Sequence, residues 1–190
     1  MYKQFTAACL AALATVAVVG AQAANARPEK FTAFAVNAST MTSRAQTSPV
    51  DITINRWSSD ADRDRLLSIL RDKGQDALLE ALQKLPVIGY INTPGSLRYD
   101  LHFARQRPQP DGGRMIFLMT DRYIGSWEAA NRPRTIDYPF TLIQLQVDKD
   151  GNGVGKASLY TKITATPDGT IELENFANEP VMLNQVKPSK

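Results

Sequence analysis

Residues 97–106 read LRYDLHFARQ, and this stretch decides the fold class because apolar and polar side chains alternate along it. An alternation with a period of two predicts a strand that buries one face. The predicted apolar face carries Leu97, Tyr99, Leu101 and Phe103, and the predicted polar face carries Arg98, Asp100, His102 and Gln106. We expect the polar face to lie in water, although a barrel with a polar interior would show the same period.

The same alternation occurs in most of the chain after residue 87, and short turn sequences separate the predicted strands. Asn92–Gly95, Pro110–Gly113 and Thr166–Gly169 place proline and glycine where β-turns favour them. Consecutive strands joined by tight turns pair antiparallel. With the strands predicted near the N-terminus, the chain has about eight or nine strands.

Helical spacing occurs in one region, between Ser59 and Pro86. Ser59 is a suitable N-cap, and leucines recur at three- and four-residue spacing on both sides of Gly74, which predicts two short helices with core-facing leucines. The predicted fold class is therefore α+β and β-dominated. It is a curved antiparallel sheet or a small barrel of about eight or nine strands, with a short helical hairpin packed on it.

The first 26 residues have the composition of a secretory signal peptide. Lys3 precedes an uncharged apolar run from Phe5 to Gly20, and small residues before Ala24 and Arg27 match cleavage sites. An uncleaved membrane anchor is the alternative, but the run is shorter than the ~20 residues that a span needs. We predict a signal peptide over 1–26, a single β-rich domain over 27–190 and a periplasmic or secreted location, with no transmembrane span after signal removal.

The composition excludes several kinds of site from residues 27–190. The one cysteine, Cys9, lies in the predicted signal peptide, so thiol chemistry and disulfides are excluded. With a single histidine, His102, the common zinc ligand sets are excluded as well. Removal of Lys3 lowers the formal charge from +3 to +2, and no basic run marks a nucleic-acid partner. We predict no cofactor and no metal site.

The segment DKDGNG at residues 148–153 matches the first half of a calcium-binding loop. Lys156 and Leu159 occupy ligand positions of the second half, where a calcium loop needs oxygen ligands. A glycine-rich turn between two strands explains the same residues. We therefore interpret the segment as a hairpin turn.

Asp100 and His102 give a first, weak signal for a functional site. They lie two residues apart on a predicted strand, so they share a face, and a carboxylate beside an imidazole can support general-base chemistry in a hydrolase. No strand-turn-helix nucleophile motif accompanies them. Two exposed side chains without a catalytic role are the simpler interpretation.

The connector from Asp121 to Asp137 gives the second signal. It lacks clear periodicity, and connections of this length are often functional. Seven arginines and no lysine lie between residues 97 and 140, and arginine forms bidentate contacts with carboxylate or phosphate. The alternative is that the tryptophan of this connector packs over the end of the sheet. The predicted ligand-binding residues are Arg122, Trp127, Glu128 and Arg132.

Short motifs in a fixed order also resemble an uncharacterised group of secreted bacterial proteins with no assigned activity. The residues that carry the resemblance are Gly112-Gly113-Arg114, Thr120-Asp121-Arg122, Trp127-Glu128-Ala129, Asp137-Tyr138-Pro139-Phe140-Thr141-Leu142 and Pro180-Val181. The resemblance covers most of residues 27–190. It implies secretion and a common fold, and it assigns no catalytic residue.

Three functions remain open at this stage. We expect an extracytoplasmic binding or envelope-associated protein whose partner is an anionic or apolar small molecule or an envelope component; an apolar ligand would suit a barrel with an apolar interior. The alternatives are a hydrolase that uses Asp100 and His102 together with acids from the connector, and a structural or interaction protein without a pocket.

Overall fold

A computed structural model of the chain describes residues 28–37, 46–95, 98–122, 137–175 and 180–189. The predicted signal peptide lies outside these ranges. The described residues form ten strands and one helix. In chain order these are β1 (Glu29–Asn37), β2 (Gln46–Ile54), α1 (Asp60–Gln83), β3 (Gly89–Asn92), β4 (Tyr99–Leu101), β5 (Phe103–Pro108), β6 (Arg114–Thr120), β7 (Phe140–Val147), β8 (Gly153–Ala165), β9 (Ile171–Asn175) and β10 (Val181–Pro188).

All ten strands belong to one antiparallel sheet. Nine of them follow the order β4-β3-β2-β1-β10-β8-β7-β6-β5, and β9 pairs with β8 beside this path. Each pairing is antiparallel. The prediction of a β-dominated antiparallel fold is therefore confirmed.

The sheet is nearly closed into a barrel because its two end strands are neighbours in the chain. β4 and β5 are separated by His102 alone. Leu101 of β4 pairs with Gly89 of β3, whereas Phe103 of β5 pairs with Met119 of β6. The N–H of His102 donates to the carbonyl oxygen of Met119 at 3.2 Å. One interrupted strand thus connects the two ends of the sheet.

Apolar side chains occupy the interior of the barrel. In β7, Ile143, Leu145 and Val147 are buried, whereas Gln146 is exposed, as the alternation predicts. The buried side chains leave at most a few per cent of their surface accessible, so they pack against one another. A polar barrel interior is therefore wrong for the described strands. The interior cluster is Phe31, Ala33, Val50, Ile52, Ile54, Trp57, Ile88, Ile91, Tyr99, Leu101, Ala104, Ile116, Leu118, Ile143, Leu145, Val147, Ala157, Leu183 and Val186.

The alternation predicted for residues 97–106 fails at His102. Leu101 and Ala104 both face the barrel interior, and Phe103 packs outside it, against the helix cluster. Two consecutive residues, Leu101 and His102, are buried, and His102 is only 9% exposed. The break between β4 and β5 shifts the side-chain pattern by one residue. The expectations that His102 faces water and that Phe103 shares a face with Leu101 are wrong; Leu97 lies outside the described residues.

Helix α1 begins with a capping box at Ser59. The Ser59 hydroxyl accepts from the N–H of Asp62 at 3.1 Å, and the Asp62 carboxylate accepts from the N–H of Ser59, also at 3.1 Å. Gly74 has φ 79° and ψ −171°, which are not helical values, so α1 consists of two helical parts. The predicted break at Gly74 is confirmed.

The helix packs on the outer surface of the sheet. Neighbouring residues of β6 show this, because Leu118 belongs to the barrel interior and Met119 to the helix cluster. The predicted core role is confirmed for all of the helical leucines except Leu67, which is not part of the cluster. The outer cluster is Leu66, Leu70, Leu78, Ala81, Leu82, Met119, Phe140 and Ile163. Within the described ranges, no helix combines the length and the apolarity that a membrane span requires.

A cross-barrel ion pair lies at one end of the barrel. Arg114 of β6 contacts Glu29 of β1 through both guanidinium nitrogens, at 3.1 and 2.5 Å, and also donates to Gln106 at 2.6 Å. β1 and β6 are not adjacent in the sheet. The pair therefore bridges opposite walls, and the bidentate geometry fixes their separation.

Candidate functional site

The break at His102 is the centre of the candidate site. Its Nδ1 lies 3.0 Å from the carbonyl oxygen of Leu85, which follows α1. A carbonyl oxygen only accepts, so Nδ1 carries the hydrogen. The other ring nitrogen, Nε2, lies 3.8 Å from Oδ1 of Asp121. His102 thus links the end of the helical region to the first residue of the long connector.

Asp121 is held where β6 ends and the connector begins. Its side chain is 21% exposed, but Oδ1 is shielded from solvent and has no hydrogen-bond partner among the described residues. The imidazole of His102 is thus the polar side chain that faces this carboxylate.

Arg122, the next residue, is exposed and lies over an aromatic ring. Its guanidinium carbon is 5.9 Å from the centroid of the Tyr99 ring, a cation–π arrangement. Its backbone is held by the buried Thr120, whose hydroxyl donates to the carbonyl oxygen of Arg122 and accepts from its N–H at 3.3 Å. In the described part of the chain, no carboxylate lies within ion-pair distance of Arg122.

Asp100, which the sequence pairs with His102, has a different neighbour. Its Oδ1 lies 3.2 Å from Nε of Arg98, and the Arg98 guanidinium lies 4.7 Å from the centre of the Tyr90 ring. The carboxylate that approaches the imidazole is instead that of Asp121. The two candidate sites predicted from the sequence therefore meet in the structure. His102 of the predicted Asp100–His102 pair lies beside Asp121, the first residue of the predicted connector.

Of the four predicted ligand-binding residues, the structure describes Arg122. Trp127, Glu128 and Arg132 lie outside the described residues. Sequence reasoning missed Tyr99 as a member of the site. The alternation places Tyr99 in the core, where it does lie, and only the position of Arg122 shows that its ring also contacts a cation. Asp121 belongs to the predicted connector, but its approach to His102 does not follow from the sequence.

The segment at residues 148–153 is a hairpin turn between β7 and β8, as interpreted from the sequence. Oδ1 of Asp148 accepts from the N–H groups of Asp150 and Asn152, at 2.8 and 2.9 Å. Gly151 has φ 85°, which a glycine adopts without strain. The Asp148 carboxylate thus serves the turn. A search of the described ranges found no group of three or more histidine, cysteine, aspartate or glutamate residues that could hold a metal ion.

The site presents the cation of Arg122 at the surface, above buried side chains. Tyr99 and Thr120 are buried and fix the position of Arg122, while His102 and Asp121 fix the point at which the connector leaves the barrel. Comparisons of the chain with models of protein families, with curated proteins and with solved structures found no match.

Proposed function

We propose that this protein is an extracytoplasmic binding protein whose ligand carries an anionic group, a carboxylate or a phosphate, that contacts Arg122. The observation that carries this proposal is the exposed guanidinium of Arg122 over the buried ring of Tyr99. The planar fork of arginine binds such groups through two parallel hydrogen bonds. Trp127, Glu128 and Arg132 follow on the same connector and are proposed as further ligand contacts.

The packed interior supports a surface site over a ligand inside the barrel. Nineteen buried apolar residues form the interior cluster, and its larger members include Phe31, Tyr99 and Leu145. A ligand in this space would have to displace them at the full cost of their packing. The proposal therefore places the ligand outside the barrel, against the connector.

The experiment that tests the proposal measures binding of small carboxylates and phosphates to Arg122→Ala. We expect Arg122→Ala to weaken binding by about 1–3 kcal/mol, because few residues carry most of the energy of an interface. Arg65→Ala removes an exposed arginine of α1 and is the matched control. Binding that falls with added salt in the parent protein, and that only Arg122→Ala impairs, supports the site. Equal affinities of the parent protein and Arg122→Ala would contradict it.

The extracytoplasmic location rests on the N-terminal sequence and has its own test. Protein exported from a bacterial host should begin at Arg27, or at Ala24 if the upstream cleavage site is used. Mass spectrometry of the exported protein measures this directly. A chain that still begins at Met1 or Tyr2 would contradict the location.

A hydrolase is the second proposal, and the approach of His102 to Asp121 is the observation that favours it. In such an enzyme Asp121 takes the role that the sequence assigned to Asp100. The ring of His102 is 10% exposed and its Nδ1 is occupied by Leu85, so only Nε2 is available for proton transfer. Loss of turnover in His102→Gln, with the fold retained, would support the enzyme; unchanged turnover of an ester substrate would exclude it.

A further inference from the structure

A second surface of the barrel combines exposed apolar side chains with cations. Four of the large apolar residues that remain exposed, between 38% and 49%, lie on the outer face of β1, β6, β8 and β10. We call this the outer patch, and it consists of Phe34, Phe117, Val154, Lys156 and Met182. None of these residues belongs to the Arg122 site.

Strand pairing brings these residues together. Phe117 pairs with Gln144, which pairs with Lys156, which pairs with Met182. Val154 lies two residues before Lys156 on the same face of β8, and Phe34 pairs with Asn184, two residues beyond Met182. The outer patch therefore occupies two neighbouring rows across five strands. It measures about 24 Å by 14 Å if each strand is given the usual spacing and each row two residues of rise.

The charge of the two rows has one sign. The cations of the two rows are Lys156, Arg105 and Arg107. Arg105 pairs with Phe117, and Arg107 pairs with Met115. The described residues of both rows include no carboxylate. Arg105 contacts Asp60 of α1 at 2.5 Å, whereas Lys156 and Arg107 have no carboxylate within ion-pair distance in the described part of the chain. The outer patch thus presents apolar side chains around Lys156, and Arg107 lies beside it at the β5 end of the same rows.

The same outer face already binds one amphipathic element. α1 covers Met119 and Leu142. These are the next outward-facing positions after Phe117 on β6 and before Gln144 on β7. At the N-terminus of α1, Asp60 pairs with Arg105. Where α1 covers this face, apolar side chains of the helix pack on the sheet and a carboxylate pairs with a cation. The part that the described residues leave uncovered offers apolar side chains and a cation to a partner.

We propose that the outer patch docks on an anionic lipid surface. At about 340 Å² the patch is well below the ~800 Å² per partner that a stable protein interface buries. A second copy of the chain would bring Lys156 and Arg107 against the same cations, with no carboxylate to pair with them. A lipid surface supplies phosphates that can move to the cations, and Phe117 and Met182 enter the boundary between headgroups and acyl chains.

Vesicle binding tests this proposal. The parent protein should co-sediment with vesicles of equimolar phosphatidylcholine and phosphatidylglycerol, and much less with phosphatidylcholine alone. Lys156→Glu should weaken the partition about 30-fold, since it removes one attraction and adds one repulsion of about fivefold each. The double variant Phe117→Ser/Met182→Ser should weaken it about tenfold or more. Added salt should weaken binding of the parent.

Matched controls separate the outer patch from the rest of the surface. Leu173→Ser removes an apolar side chain that is 57% exposed on β9, and Lys73→Glu reverses an exposed cation on α1; both should bind like the parent. A failure of the lipid proposal is distinct from a failure of the ligand site, because the ligand site is tested with soluble carboxylates and phosphates and the outer patch with vesicles and its own variants. All proteins are taken from the exported fraction with the N-terminus checked, because the apolar run at 5–20 would itself bind vesicles.

Two results would overturn the proposal. One is absence of vesicle binding by the folded parent protein, or vesicle binding that all variants retain. The other is a dimer in analytical ultracentrifugation that Phe117→Ser/Met182→Ser dissociates, because the occupant would then be a second copy of the chain.

Discussion

His102 combines a strand break, a buried ring and two polar contacts in one residue. It interrupts a strand, its ring is buried, and its two ring nitrogens face a backbone carbonyl and a carboxylate. The residue before it, Leu101, is an ordinary core residue with no exposed surface. A comparison of the two therefore separates the contribution of packing from that of polar contacts.

Leu101→Ala should lower the free energy of unfolding by about 2–5 kcal/mol, because it leaves a cavity in the barrel interior. His102→Ala should lower it by about 1–3 kcal/mol, because it leaves the carbonyl of Leu85 and the carboxylate of Asp121 without the ring. Urea unfolding measures both, with Gln146→Ala on the exposed face as the control, expected within about 0.5 kcal/mol of the parent. If His102→Ala matched this control, the buried position of the ring would be wrong.

Trp127 can be tested before any ligand is known. If it contacts a ligand, as proposed, Trp127→Ala should leave the melting temperature nearly unchanged. If it packs over the end of the sheet, the loss of about 3 kcal/mol or more should lower the melting temperature by several degrees. Differential scanning calorimetry distinguishes these outcomes, and a large decrease would remove Trp127 from the proposed site.

Among the elements, the β8–β9 hairpin shows how a turn is set by its own side chains. In the folded protein the Thr166 hydroxyl and the Thr170 N–H donate to Asp168 and lower its pKa below the ordinary value of 3.8. The ionised carboxylate therefore stabilises the folded state above this value, and the stabilisation is lost as the pH falls through the lower pKa of the folded state.

An NMR titration of the Asp168 carboxyl carbon measures this shift. We expect a midpoint below 3.8 in the parent protein and a midpoint closer to 3.8 in Thr166→Ala, since the Thr166 hydroxyl is the largest cause. A midpoint that Thr166→Ala leaves unchanged would assign the shift to the remaining donors, against this account.

The sequence patterns predict the strands and turns well because both depend on neighbouring residues. The alternation in β7, the turn at Asp148 and the break at Gly74 are all local, and all are confirmed. The interruption at His102 could not be predicted in this way, because an apolar residue on each side of it fits a continuous strand equally well. Only the pairing of β4 with β3 and of β5 with β6 requires the break.

The sequence predicts individual residues of the site but not their arrangement. Arg122 and His102 could be selected because their residue types are uncommon or chemically specific in this chain. Their proximity could not, since it depends on the register of the β5–β6 hairpin, in which Phe103 lies opposite Met119. The same cause explains why Asp121, and not Asp100, lies beside the imidazole.

At the scale of the whole molecule, the interrupted strand connects the fold to the proposed function. It joins both ends of the sheet, and it places Tyr99 beneath Arg122 and His102 beside Asp121. The pairing of β5 with β6 brings the start of the connector to this strand, because Phe103 lies opposite Met119. Without this pairing, the proposed anion site would lose the buried ring of Tyr99 beneath Arg122.

Disulfide trapping tests closure most directly, because residues 27–190 contain no cysteine. In a chain with Cys9→Ser, cysteines replace the register pairs Tyr90 with Asp100, across β3 and β4, and Arg105 with Phe117, across β5 and β6. Directly opposed residues of antiparallel strands are about 4.5–5.5 Å apart between Cα atoms, within the range of a disulfide. Non-reducing peptide mapping should find both disulfides, correctly paired, in the same folded molecule. Formation of one pair only, or mixed pairing between them, would contradict a strand that joins both ends of the sheet. Absence of the disulfide between β5 and β6 would also contradict the site.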